Sequence, residues 1–406
     1  NSLANVIDAG AGNDSMDGGQ GVDTLNYLFA TSAVTVSLAT GSATGGRGAD
    51  RFINFENILG SDFNDVLTGD SLGNSLFGSF GNDTIDGGAG DDTIEGGEGA
   101  DSLYGGADTA DVLTYASVST AGTDILTDFD NITGSAYADD LTGDTAANTL
   151  LGAGGNDTLR GGGGADSLDG GLGDDQIDGG TGDDIIDGGL GADVIDGGVG
   201  NDTLTFASAT GSVTVNLETG TALGAAGNDF IANIEILIGS SVSDVLTGDA
   251  FDNTLSGGAG NDVIAGGSGN DTLDGGLGDD AFDGGGGNDT VTYANASGSV
   301  TVSLAGSASS GAAGSDTLTS IEILIGSSLG DQLTGDSLAN NLQGGSGSDT
   351  IQGGSSNDMI DGGVGNDILD GGMDADTVTY TNATGGVTVN LGGYTATGGA
   401  GNDSLT

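Results

Sequence analysis

Asp157, Asp166, Asp175, Asp184, Asp193 and Asp202 follow one another at intervals of nine, with glycine filling most of the space between them. An apolar residue stands two places after each: Leu159, Leu168, Ile177, Ile186, Ile195 and Leu204. Asp is the short carboxylate, favoured in turns and at metal sites built from oxygen. The same phase recurs at Asp14 and Asp23, at Asp83, Asp92 and Asp101, at Asp262, Asp271, Asp280 and Asp289, and at Asp349, Asp358, Asp367 and Asp376. Together these are the candidate metal ligands. Neighbouring carboxylates such as Asp174–Asp175 and Asp183–Asp184 could suggest acid–base catalysis. The same pair recurs as turn positions five and six with no pocket-forming diversity around it, so no enzyme is expected.

Composition removes other chemistries. The chain of 406 residues carries a formal net charge of −58 and three basic residues, Arg47, Arg51 and Arg160. Such a chain cannot neutralise phosphates, so nucleic acid is excluded as a partner. With no His and no Cys, the usual zinc sites, thiol and Ser–His nucleophiles and disulfides are excluded too. No apolar run is long enough for a transmembrane segment. High charge with abundant glycine favours disorder, but the 35% hydrophobic residues sit in register. Disorder is therefore expected without metal and order with it.

The elements that must position the carboxylates follow from the unit Gly-Gly-x-Gly-x-Asp-x-U-x, where U is apolar. Glycine serves a turn that needs positive φ at little cost. The three residues x-U-x suffice for one short strand with a single inward side chain. Two nonapeptides make an 18-residue coil, and parallel stacking at ~4.8 Å gives an all-β solenoid, a parallel β-roll. Stacking sets Asp157 over Asp175 and Asp193 on one edge, and Asp166 over Asp184 and Asp202 on the other. Adjacent carboxylates at ~5 Å repel by about 1 kcal/mol even in water. Each rung calls for a cation, and flexible all-oxygen ligation selects Ca²⁺ over Mg²⁺. Multiple calcium ions are expected.

A longer period of about 88 residues lies above the nonapeptide: Asp23, Asp111, Asp202, Asp289 and Asp376 are equivalent. It divides the chain into a partial repeat 1–22, repeat units 23–110, 111–201, 202–288 and 289–375, and a partial unit 376–406. An aromatic follows each of these Asp by four residues (Tyr27, Tyr115, Phe206, Tyr293, Tyr380) and is expected to cap the core. Spacer strands interrupt the roll at "AVTVSLATG" (33–41), "SVTVNLETG" (212–220), "SVTVSLAGS" (299–307) and "GVTVNLGGY" (386–394), each alternating as a half-buried strand does. The spacer of unit 111–201 is shorter and lacks this strand. Degenerate turns such as "GDSLGN" and "GDAFDN" come next, keeping the nine-residue step through Asn74, Asn148, Asn253 and Asn340. The array runs into both ends of the sequence, as in a segment of a longer repeat polymer.

The stretches "GGLGDDQID", "GGTGDDIID" and "GGSGNDTLD" resemble the RTX (repeats-in-toxin, haemolysin-type) calcium-binding nonapeptide. The resemblance implies Ca²⁺ between successive turns, held by sixth-position Asp and turn carbonyls. It also implies bacterial type I secretion, with the chain unfolded at low cytosolic calcium and folding outside. The expected role is that of a calcium-binding structural protein outside the cell or at its surface. It would self-associate as a fibre, matrix or surface-layer component. The stalk of a giant adhesin, or a secretion and folding module of an RTX enzyme or toxin, is the alternative.

Overall fold

The computed structural model describes residues 3–106, 110–115, 125–127 and 129–406, of which 125–127 are described by backbone alone. The chain forms two compact units, Asn1–Asp184 and Ile185–Thr406. Each is an all-β solenoid of parallel strands paired at a spacing of 18. In the first unit Asn131–Thr133, Thr149–Leu151 and Ser167–Asp169 stack in register, with Ile132 on Leu150 and Leu150 on Leu168. The alternate nonapeptides stack as a second sheet, where Leu141, Leu159 and Ile177 align. In the second unit Leu237, Leu255 and Leu273 align on one sheet, and Leu246, Ile264 and Phe282 on the other.

The central strand residue of each nonapeptide is the core. Leu150, Leu159, Leu255 and Ile264 are fully buried, and Ile177, the most exposed of the uninterrupted run, reaches only 3%. One such side chain contributes about 1.5–3 kcal/mol, far less than the cost of ordering nine residues. A nonapeptide therefore holds its shape only when its neighbours and its turn contribute as well.

The spacers hold more than the single strand expected from their sequence. Val34–Ser37, Ser42–Gly45 and Gly48–Ile53 form an antiparallel trio. Its first strand runs parallel to the following Val66–Thr68 and its last parallel to the preceding Ser15–Asp17. One sheet thus gains two strands while Thr24–Asn26 pairs directly with Asn57–Leu59 on the other. Trios at 213–232 and 300–319 repeat the arrangement. Val34, Val36, Val213, Val215, Val300 and Val302 are buried between coils. In the trio at 387–405 the corresponding strand Val387–Asn390 pairs only with Thr395–Gly398 among the described residues, and its Val389 is 45% exposed. Burial here comes from the next coil, as a solenoid requires. The short spacer of unit 111–201 falls partly on residues 116–124 and 128, outside the described residues.

Tyr27, Phe206 and Tyr293 lie buried where the roll meets a spacer. Tyr115 and Tyr380 are half-buried. Among the described residues no helix is long and apolar enough to cross a membrane.

Candidate metal centre

The sixth-position carboxylates lie inside the turns. Asp23, Asp83, Asp92, Asp101, Asp157, Asp166, Asp175, Asp184, Asp193, Asp202, Asp262, Asp271, Asp280, Asp289, Asp349, Asp358 and Asp367 are all buried. Asp14 and Asp376 are half-buried. The buried carboxylates are tied to the coil before them: the backbone N–H of Asp157 donates to Asp175 Oδ1 at 2.7 Å, and that of Asp166 to Asp184 Oδ1 at 2.8 Å. The second unit repeats this at Asp262 to Asp280 and Asp349 to Asp367. The carboxylate column is therefore also a hydrogen-bond ladder. Half of the repulsion argument is met by the backbone itself.

The other oxygen is not so provided. Oδ2 of Asp23, Asp83, Asp157, Asp166, Asp262, Asp271, Asp289, Asp349, Asp358 and Asp367 is buried with no hydrogen-bond partner. An unsatisfied buried charge of this kind is costly. Burial accordingly pushes the carboxyls of Asp157, Asp166, Asp262, Asp289 and Asp358 above the ordinary Asp value, and raises Asp83 and Asp349 to about 7 and Asp271 and Asp367 to about 6. A second oxygen converges on the same place. A Cβ built at Gly152 would lie 2.5 Å from Asp157 Oδ2 and 2.6 Å from the carbonyl oxygen of Gly170, one coil on. At Gly353 the corresponding distances are 2.5 Å to Asp358 Oδ2 and 2.5 Å to the Gly371 carbonyl. First-position glycine is thus required by oxygens crowding where a side chain would begin. Ala9 fills that position in the turn of Asp14, the one candidate ligand preceded five residues earlier by something other than glycine.

The donor set fits a hard cation: a buried carboxylate oxygen without a donor, backbone carbonyls, and no nitrogen or sulfur. No three carboxylates come together among the described residues, so carbonyls must complete any coordination shell. The sixth-position Asp and the first-position carbonyl of the next coil would hold the ion. Bound there, calcium would supply positive charge to oxygens for which the chain provides no proton donor.

The profile of the RTX calcium-binding nonapeptide repeat matches residues 1–26, 73–109, 124–204, 238–291 and 334–378, more than half of the sequence. The chain belongs to that family. It is a calcium-binding repeat protein with a β-solenoid fold. No curated protein matches it.

Several carboxylates of this RTX array escaped the sequence reading. Asp111 continues the ladder by accepting the Asp92 N–H at 2.9 Å. Asp50, Asp229, Asp316 and Asp403, in the spacers, accept from Asp14, Asp193, Asp280 and Asp367 at a separation of 36. Twice eighteen was the available signal. Glu56, Glu235 and Glu322 accept from Asp23, Asp202 and Asp289 through Oε2 at a separation of 33. A counter-ladder runs along the fifth position: the N–H groups of Asp174, Asp279 and Asn288 donate to Asn156, Asn261 and Asn270 one coil earlier. The recurring Asn-Asp pair is thus two hydrogen-bond ladders running in opposite senses.

Proposed function

We propose that this RTX chain is structural material outside the cell, a fibre, matrix or surface-layer component whose calcium ions fold and stiffen it after secretion. The observation that carries the reading is the column of buried Oδ2 atoms without donors in turn after turn. A chain so arranged is poorly folded where calcium is scarce and rigid where it is abundant, the condition met on leaving a cell. The ligands are the nineteen sixth-position Asp of the glycine-paired turns, and several ions bind along each array. Recurrence of the spacer trio at 34–53, 213–232, 300–319 and 387–405 supports a repeating material. The acidic surface supports calcium-bridged self-association. RTX proteins are typically secreted, in keeping with an extracellular place.

Far-UV circular dichroism with light scattering tests this on the chain taken from chelator through a Ca²⁺ titration, with Mg²⁺ as control. A cooperative gain of β signal with Ca²⁺ alone, followed by growth in scattered mass, is expected. Folding without assembly would favour an adhesin stalk or a secretion module. A full β signal in chelator would overturn the calcium dependence.

A further inference from the structure

The degenerate turns differ from the glycine-paired ones in where their N–H groups point. In "GSDFND" (60–65) the Ser61 N–H donates to Asp65 Oδ2 at 2.5 Å, and the Ser61 hydroxyl reaches both carboxylate oxygens at 2.8 and 2.9 Å. The Phe63 N–H then closes back on Ser61 Oγ at 3.2 Å. Ser135 with Asp139, Ser240 with Asp244 and Ser327 with Asp331 repeat this arrangement. The partner turn nine residues on does the same with Asp and Asn. The Asp70 N–H donates to Asn74 Oδ1 at 2.7 Å, and the Leu72 N–H donates to Asp70 Oδ1 at 2.8 Å. Asp144 with Asn148, Asp249 with Asn253 and Asp336 with Asn340 follow suit.

In all eight turns, therefore, the sixth-position oxygen that would face a metal already accepts a hydrogen bond from the turn itself. At Asn74, Asn148, Asn253 and Asn340 the residue is neutral as well. Five glycine-paired turns send the second-position N–H the other way. At Gly189, Gly198, Gly276, Gly363 and Gly372 it donates to the Asp two residues earlier, on the outer side. The degenerate turns carry Leu59, Thr68, Thr133, Thr142, Ile238, Thr247, Ile325 and Thr334 at that place, so no carboxylate competes.

Backbone conformation separates the classes independently. Where a glycine-paired turn has lost one glycine, its replacement still takes positive φ: Ser79 at 89°, Ala153 at 72°, Ser356 at 76° and Asp374 at 80°. No second- or fourth-position residue of the eight degenerate turns does so. Ser79 makes the point within one sequence type. It is a second-position Ser like Ser61, yet with Gly81 at position four its turn keeps positive φ, and Asp83 Oδ2 has no partner.

We propose that each pair of degenerate turns forms a calcium-independent coil that stays folded in the metal-free chain and templates the calcium-dependent coils stacked on it. Such coils lie at 57–76 and 131–151 in the first unit, and at 236–256 and 323–343 in the second. In the coils at 57–76, 236–256 and 323–343 the adjoining trio adds a bond to the same carboxylate. The Val34, Val213 and Val300 N–H groups donate to Asp65, Asp244 and Asp331 Oδ1 at 2.8, 2.7 and 2.8 Å. Templating acts through the ladder. A folded degenerate coil offers the N–H of Asp65 or Asn74 to the first glycine-paired Asp above it, Asp83 or Asp92. This inference rests on the calcium reading above.

Hydrogen–deuterium exchange by mass spectrometry on the whole chain, in chelator and in Ca²⁺, tests it. In chelator, amides of the four degenerate coils should be protected at least tenfold over those of 84–106, 158–181 and 263–286, with all protected in Ca²⁺. The double variant Ser240→Gly, Val242→Gly turns "GSSVSD" into a glycine-paired turn. It should lose chelator protection at 236–256 while regaining it in Ca²⁺, which also shows that the variant still folds. Uniformly fast exchange in chelator with full protection in Ca²⁺ would overturn this inference and leave the calcium reading standing. Uniform protection in chelator would overturn both. A double variant as protected in chelator as the parent would overturn the role of the turn hydrogen bonds.

Discussion

Two turns eighteen residues apart, 60–65 and 78–83, pose the same problem and solve it differently. Both bury a sixth-position Asp whose Oδ1 belongs to the interstrand ladder: Asp65 accepts the Val34 N–H and Asp83 accepts the Asp65 N–H. In the first, Ser61 supplies donors to Asp65 Oδ2. In the second, Asp83 Oδ2 is left without a partner. A third solution appears in the spacers, where Tyr27 and Tyr293 give their hydroxyl protons to Asp50 and Asp316 Oδ2. One carboxylate position thus has two partners supplied by the protein and, on the function proposed above, a third taken from solution. The lesson is that calcium dependence is set turn by turn, by which N–H the backbone directs inward.

The broadest way to break the comparison is to protonate the orphaned oxygens. Asp83 and Asp349 are raised by burial to about 7, and Asp271 and Asp367 to about 6, from 3.8. A carboxyl raised in the folded state gives its stabilisation in full below the unfolded value, near 3.8, and loses it as pH rises through the folded one. Metal-free chain should therefore gain β signal on going from pH 7.5 to about pH 4.5, with most of the change between pH 7 and pH 5. Circular dichroism in chelator measures this. Acid would stand in for calcium at the glycine-paired turns. A metal-free chain that lost β signal over that range would contradict the burial argument.

A narrower break is steric. Gly353→Ala places a methyl 2.5 Å from both Asp358 Oδ2 and the Gly371 carbonyl. Overpacking of this kind costs about 1–3 kcal/mol, and it closes the space a cation would use. Thermal melts in Ca²⁺ should show the loss. Gly163→Ala, where the nearest atom is the Thr181 hydroxyl at 3.1 Å, is the milder control.

How far the sequence carried this argument differs by position. Period nine, the apolar strand centre and the glycine turns were legible because each recurs many times in fixed phase, without a slip from Asp157 to Asp202, and has one physical reading. The trio was not. Only "VTV" shows strand alternation, while Ser42–Gly45 is short and polar and becomes a strand by being held between two others. The ladder role of Asp was also hidden, because a metal ligand and a backbone acceptor call for the same residue at the same spacing. The distinction between turn classes rests on φ at two positions, and Ser79 and Ser61 show that residue type at one position does not decide it.

Asp271→Asn sharpens the comparison at a single site. Asp271 Oδ1 accepts the Asn253 N–H at 2.8 Å, a bond the oxygen of an amide can also accept. The change removes a buried charge and a proposed calcium ligand together, so its sign should reverse with conditions. In Ca²⁺ it should destabilise by about 1–2 kcal/mol, as expected for losing an interaction with a charged group. In chelator it should be neutral or stabilising. Denaturant melts under both conditions decide, and destabilisation in both would mean the carboxylate serves packing alone.

The smallest expected effect tests the spacer solution by completing it. Tyr27 and Asp50, and Tyr293 and Asp316, are 23 residues apart and hydrogen-bonded at 3.0 and 2.9 Å. Burial and the neighbouring Asp raise both phenols well above their ordinary value, so they remain donors. Phe206 occupies the same place at the same separation from Asp229, is as buried, and has no hydroxyl to give. Asp229 accepts the Asp193 N–H at 3.1 Å and its carboxyl is raised by burial. Phe206→Tyr should supply the missing donor and stabilise by about 1 kcal/mol, the usual net worth of one hydrogen bond. Tyr27→Phe should remove as much. Because neither change touches a glycine-paired turn, both effects should be equal in chelator and in Ca²⁺ wherever the surrounding coils remain folded. A gain seen only with calcium would instead tie the spacer to the metal sites.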